Sequence, residues 1–190
     1  MRPAFKMALL FSGAWILLKF VFQAIDVFQD DVVKPGLINN LFLLLAISLG
    51  LYFEKKKEGF GTGTPLSDIK NGLTAGAPYV LIVSVFMYFY YESINPSFIE
   101  NRVTERMDVI YNESQEEAYM DTLKLHTPEF RVMTNDEILK DIKSDTESAL
   151  SAKTLFVFSL LGLIVMALTY AIFLAVIYRK ILFRDYYLKE

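Results

Sequence analysis

The chain has 190 residues, 54% hydrophobic and 15% aromatic, with a mean hydropathy of +0.34 and a formal net charge of −3. That apolar excess suits a small membrane protein better than a soluble globule. Cysteine is absent, which excludes disulfides, thiolate nucleophiles and cysteine-based metal sites.

The first apolar run, about Met7 to Phe28, follows Arg2 and Lys6. This start imitates a signal peptide, but no small-x-small cleavage site follows. Lys19, Phe20 and Phe22 occupy the region where one would lie, so the N-terminus is expected to be retained. A second span is predicted at about Leu37 to Phe53, near the lower length limit for a crossing helix.

Residues 54–72 then form a polar loop that contains Gly59, Gly61 and Gly63. A phosphate-binding loop needs a Lys-Ser/Thr pair after the glycines and a strand before them; neither is present, so a flexible turn is expected. Thr64-Pro65, with Asp68 in the first turn, reads as a helix start, and that helix is expected to run straight into a third span at about Leu73 to Tyr91. Gly72 and Gly76 make one smooth face on it, and Pro78 predicts a kink.

An acidic segment follows, from Glu92 to Lys153, in which Asp and Glu outnumber Lys and Arg fourteen to seven. Asn95-Pro96 opens a helix on which Ile99, Val103, Met107 and Ile110 recur at helical spacing. Ser114 with Glu117 predicts a capping box for a second short helix ending at Thr127-Pro128. Thr134 with Glu137 predicts another for a third, whose Ile138, Ile142 and Leu150 share a face and which is expected to continue into the fourth span. Such short striped helices need to pack on each other, on lipid headgroups or on a partner.

From Thr154 to Tyr178 no residue is charged, long enough to cross a hydrocarbon layer of about 30 Å and without a polar stripe. Ala167, Ala171 and Ala175 give this fourth span a small-residue face like that of Gly72 and Gly76. Both faces are expected to pack inside the bundle, with a homodimer seam as the other use. The tail Ile181 to Tyr187 is apolar, basic and aromatic and is expected along the inner surface.

The fold class expected is therefore an all-α integral membrane protein with four transmembrane helices and a helical extracytoplasmic segment between the third and fourth. The divisions are 1–91, 92–153 and 154–190. Orientation follows from the basic residues beside the spans. Arg2 and Lys6, then Lys55, Lys56, Lys57 and Lys70, then Arg179, Lys180, Arg184 and Lys189 all fall on one side of an even number of crossings. The other connections are acidic: Asp26, Asp30 and Asp31 against Lys34, then the long segment. Both termini are expected to be cytoplasmic.

Ser12, Lys19, Gln23 and Asp26 have spacings that place them on one face of the first span. A central lysine costs roughly 2.5–3.5 kcal/mol on insertion scales, so this face should look into protein or water. Groups that could satisfy Lys19 are Asp26 through Gln23 or water, carbonyls freed by Pro78, Asn39, Asn40, a lipid phosphate, or an acid on another subunit. Three uses stay open for Lys19: glue for the bundle, contact with a partner subunit, or an ion or proton path.

His126 is the only histidine and reads as an exposed loop residue. Glu113, Glu116, Glu117 and Asp121 have helical spacing but lack the ligand pattern of a calcium loop. No metal, no cofactor, no catalytic residue and no nucleic-acid partner is expected.

The order of features resembles a family of four-pass bacterial membrane proteins, common among Bacteroidetes and designated a domain of unknown function. The residues that carry the resemblance are Ala14-Trp15-Ile16-Leu17-Leu18-Lys19, Asp68-Ile69-Lys70-Asn71-Gly72, Tyr90-Tyr91 with Ile94-Asn95-Pro96-Ser97-Phe98, and Gly162-Leu163-Ile164. The resemblance implies a bacterial inner membrane and the same topology, and it carries no catalytic residue. The expectation is an accessory or scaffold subunit, not an enzyme, embedded in the lipid bilayer with other membrane or periplasmic subunits as partners. Its docking candidates are Ile99, Val103, Met107 and Ile110. The rival expectation is an oligomeric transporter or channel component using Lys19 and Asp26.

Overall fold

A computed structural model describes residues 1–28, 31 and 33–187; Asp30, Lys189 and the side chain of Glu117 lie outside the described set. The fold is all-α. Its helices are α1 (Pro3–Ala24), α2 (Val33–Glu58), α3 (Pro65–Phe89), α4 (Ser97–Ser114), α5 (Glu117–His126), α6 (Asn135–Ala149), α7 (Ala152–Ile177) and α8 (Arg184–Tyr187). Four of them, α1, α2, α3 and α7, are long and apolar enough to cross a membrane.

Local chemistry sets the helix ends, and several differ from the pattern read along the chain. α1 begins at Pro3, whose missing N–H is no loss at a first helical position, and ends at Ala24. Asp26 and Phe28 take φ of 55° and 61°, left-handed backbone that stops a helix. The span therefore does not reach Phe28. Lys19 sits about 7–8 Å from the end of α1 at 1.5 Å per residue, in its last third and not at its middle. α2 is longer than expected at both ends. The Asp31 carboxylate accepts from Val33 N–H at 2.8 Å and Lys34 N–H at 3.1 Å, and Lys55, Lys56 and Lys57 occupy the last turn, where cations favour the helix dipole.

Thr64 Oγ1 accepts from Ser67 N–H at 3.2 Å and opens α3, which runs as one helix through Pro78 to Phe89 and closes in a π-turn, Tyr90–Ile94. Ser114 is not placed to head a capping box for α5, because it belongs to the last turn of α4. Ser114 ends α4, its hydroxyl donates to Tyr111 O at 2.8 Å, and Glu116 precedes α5 without a side-chain cap. The box at Thr134 and Glu137 does form. α6 does not continue into α7: Leu150 leaves helical geometry at ψ 2°, and Ser151 Oγ caps the new helix by accepting from Thr154 N–H at 3.3 Å.

The chain divides into two compact units, Met1–Phe86 with Val157–Glu190, and Met87–Phe156. In the first unit, small residues let helices approach closely. A Cβ on Gly50 of α2 would lie 2.7 Å from Ala75 Cβ of α3 and 3.3 Å from Ala4 Cα of α1. One on Gly72 would lie 3.3 Å from Ala171 Cβ, and one on Gly76 3.2 Å from Ala167 Cβ, which sets the glycine face of α3 against the alanine face of α7. Ala175 is buried on the same helix.

The second unit has two small cores. In one, Val103, Met107 and Ile110 pack with Ile99, Leu139, Ile142 and Leu150. In the other, Met120, Phe130 and Ile138 pack with Tyr119, Leu123, Met133 and Ile142. The stripe Ile99, Val103, Met107 and Ile110 is thus covered by α6 and is not a free docking face for a partner. α6 has its own apolar stripe to bury, and each such side chain contributes about 1.5–3 kcal/mol when removed from water.

Candidate functional site

The most concentrated chemistry lies where α1 and α3 begin and α2 and α7 end, inside the first unit. Lys55, in the last turn of α2, has its Nζ 2.5 Å from Asp68 Oδ1 in the first turn of α3, and both side chains are 1% exposed. Arg179, in the turn after α7, holds the other oxygen of Asp68 through Nε at 2.6 Å. The same two cations grip the glycine loop: Lys55 Nζ donates to Thr62 O at 2.5 Å, and Arg179 Nη2 donates to Gly63 O.

A second set of contacts runs beside the first. Arg2, ahead of α1, donates to Glu54 Oε1 at 3.2 Å and to Asn71 Oδ1 at 2.8 Å. Glu54 also accepts from Ala4 N–H at 3.3 Å, and Asn71 Nδ2 donates to Glu58 Oε2 at 3.1 Å. Glu54 is nearly as buried as Asp68. Arg2 thereby faces Glu54, and Lys55 and Arg179 share Asp68, while the exposed Glu58 joins the set through Asn71.

Burying ions is costly, and it is tolerated where geometry is close and remaining lone pairs are satisfied. Here Asp68 sits at a helix start and Lys55 at a helix end, where the helix dipoles favour those signs. The network ties all four long helices together at one end.

The C-terminal turn closes over this clasp. Phe183 is buried, stacking on Phe60 at 4.4 Å and on Tyr178 at 5.4 Å. The Arg179 guanidinium lies 4.4 Å from the Tyr187 ring centroid, a cation–π contact. A Cβ on Gly61 would fall 2.8 Å from Tyr186 O. The glycine loop is a turn, as expected, but it is held by two cations and the tail and does not hang free. Gly59 and Gly63 take φ of 108° and 83°, which only glycine adopts readily.

The polar face expected on the first span is only partly assembled. Ser12 is fully buried, its hydroxyl donating to Leu9 O at 3.3 Å; Lys19 is buried at 7% exposure and Gln23 is half-buried. Asp26 is exposed beyond the helix end, so it does not share that face. Trp15, one turn from both Ser12 and Lys19, is buried, and among the described residues its Nε1 has no hydrogen-bond partner, as is true of Asn40 Oδ1 and Ser84 Oγ. Asn39 is engaged, its Oδ1 accepting from the Tyr79 hydroxyl at 2.6 Å.

His126, Glu113, Glu116 and Asp121 are exposed. Among the described residues, no group of three or more His, Cys, Asp or Glu is placed to hold a metal ion.

Reading along the chain does not reveal the clasp, because Lys55 there is one of three cations beside a span and Asp68 an acid at a helix start. Glu54, a carboxylate at the edge of an apolar run, was the one local signal. No protein-family model, curated protein or solved structure matches the chain.

Proposed function

We propose that the chain is an accessory or scaffold subunit of a bacterial inner-membrane complex, with both termini cytoplasmic and the acidic unit outside. The observation that supports this is the clasp itself. Four helices pinned at one end by buried ion pairs suit a fixed frame; alternating-access transport requires one bundle to rock against another. The transporter alternative also loses its paired residues, because Asp26 leaves the helix that carries Lys19.

The partner is engaged through the exposed acidic surfaces of α4, α5 and α6, since the stripe Ile99, Val103, Met107 and Ile110 is taken up by the internal core. The orientation rests on the basic residues gathered beside the clasp, Lys6, Lys56, Lys57 and Lys70, all exposed, following the positive-inside rule. Membership of the four-pass family named above is part of the same proposal.

The test is purification of the tagged full chain from native membranes in mild detergent, followed by mass spectrometry. A stoichiometric membrane or periplasmic protein is expected, and Glu105→Lys with Asp141→Lys should deplete it several-fold. A monodisperse, partner-free species would count against the proposal, as would ion flux in liposomes holding the pure chain.

A further inference from the structure

Inside the second unit a cleft of about 500 Å³ opens between α4 and α6, walled by Arg102, Glu105, Arg106, Val109, Ala149 and Leu150. Its lining is divided. Val109, 43% exposed, makes an apolar strip with Ala149 and Leu150. Arg102 and Arg106 stand one helical turn apart beside it.

Arg102 holds Glu105 at 2.9 Å, and its guanidinium lies 5.6 Å from the Phe98 ring centroid. Arg106 is exposed and, among the described residues, joins no ion pair. The cleft therefore presents two guanidiniums against one carboxylate, in a segment where acids outnumber bases fourteen to seven. A guanidinium fork matches phosphate oxygens two at a time, and an apolar strip beside it suits hydrocarbon.

The same unit contains the ends of two spans. The rings of Tyr88 and Phe156 meet there at 6.1 Å, Leu150 lies just ahead of α7, and Arg102 lies in the second turn of the helix that follows the third span. An anionic group joined to hydrocarbon is what the bilayer supplies at that level. A polyacidic peptide would meet the surrounding carboxylates, whereas a lipid brings a single phosphate.

We propose that this cleft binds one anionic phospholipid, its phosphate held by Arg102 and Arg106 and the start of an acyl chain lying on Val109, Ala149 and Leu150. The site does not depend on the accessory-subunit reading and would stand if that reading failed.

The test uses the full chain in nanodiscs of zwitterionic phosphatidylcholine doped with a photo-crosslinkable phosphatidylglycerol, with labelled peptides mapped by mass spectrometry. Labelling is expected on the peptides holding residues 102–109 and 146–150. Arg102→Gln with Arg106→Gln should cut it at least fivefold, while Lys140→Gln, exposed on α6 outside the cleft, leaves it unchanged. Labelling near Lys56 and Lys57 serves as the internal control. Ala149→Trp, which fills the cleft without altering charge, should also cut labelling and guards against misfolding of the double variant. Labelling that misses both peptides, or that survives both variants, would overturn the proposal. So would a native-membrane crosslink from the cleft to a protein with no lipid recovered.

Discussion

Lys55 Nζ and Asp68 Oδ1 meet at 2.5 Å with both side chains 1% exposed, joining the last turn of α2 to the first turn of α3. Lys56 and Lys57, next along the same turn, are exposed. Asp68→Asn strands Lys55 and frees Arg179, and removing one partner of a buried pair costs about 3–5 kcal/mol. Lys56→Gln should stay within about 0.5 kcal/mol of the parent. Thermal unfolding in detergent compares them directly, and equal stability of the two variants would deny the clasp any structural role.

Replacing both partners is a different experiment. Lys55→Met with Asp68→Leu leaves no orphaned charge on either helix, although Arg179 loses its carboxylate. The double variant is expected to recover part of the stability lost in Asp68→Asn, read as a higher unfolding temperature. A double variant below the single would point to a requirement for charge at that position.

The helix contacts make a graded prediction for glycines. Gly50→Ala must push its Cβ against Ala75 and Ala4, and overpacking of that kind costs about 1–3 kcal/mol. Gly13 has nothing within 4 Å of its Cβ position, so Gly13→Ala should be neutral or gain up to about 1 kcal/mol from helix propensity. Equal effects in the two variants would mean that α1, α2 and α3 are not packed as described.

In the second unit the Glu137 carboxylate is held below the ordinary glutamate range, first by the Thr134 backbone N–H and then by the Thr134 hydroxyl. Its folded pKa is depressed, so the unfolded chain binds more protons in that window and stability rises with pH. The cap contribution is complete above the ordinary value of about 4.3 and is lost as pH falls through the folded value. Protection against hydrogen exchange in the first turns of α6, taken relative to the intrinsic rate at each pH, should fall over that acid range in the parent. Glu137→Gln should remove the acid dependence, whereas Thr134→Ala, which keeps the backbone donor to Glu137, should only weaken it and cost about 1 kcal/mol through the lost cap.

Because the chain contains no cysteine, its topology can be read with single substitutions. Val132→Cys, at a site 90% exposed, should react with a membrane-impermeant maleimide in intact cells. Lys57→Cys should react only after permeabilisation. The reverse pattern would invert the proposed orientation and move the acidic unit to the cytoplasmic side.

Much of this architecture was legible residue by residue. The uncharged run from Thr154 to Tyr178, the Thr134–Glu137 box and the Thr64-Pro65 helix start are local, and their energies depend on neighbours in the chain, so reading along it suffices. The end of α1 was less legible, because Asp26 and Phe28 adopt left-handed backbone that residue type alone does not announce. Ser114 likewise ends α4, its hydroxyl donating to Tyr111 O, because α4 extends further than its apolar stripe announces.

What the sequence determined alone was the number of apolar segments long enough to cross a membrane and their order along the chain, since hydropathy adds up along a chain without regard to distant partners. Tertiary structure decided which of three consecutive lysines is buried, that Gly72 and Gly76 meet Ala171 and Ala167, and that the Val103–Ile110 stripe is taken by α6. Those choices depend on how each helix is rotated and set in depth against residues far away in the chain. A rotation of one residue, about 100°, would bring Lys56 to the place of Lys55, and only the assembled bundle selects between them.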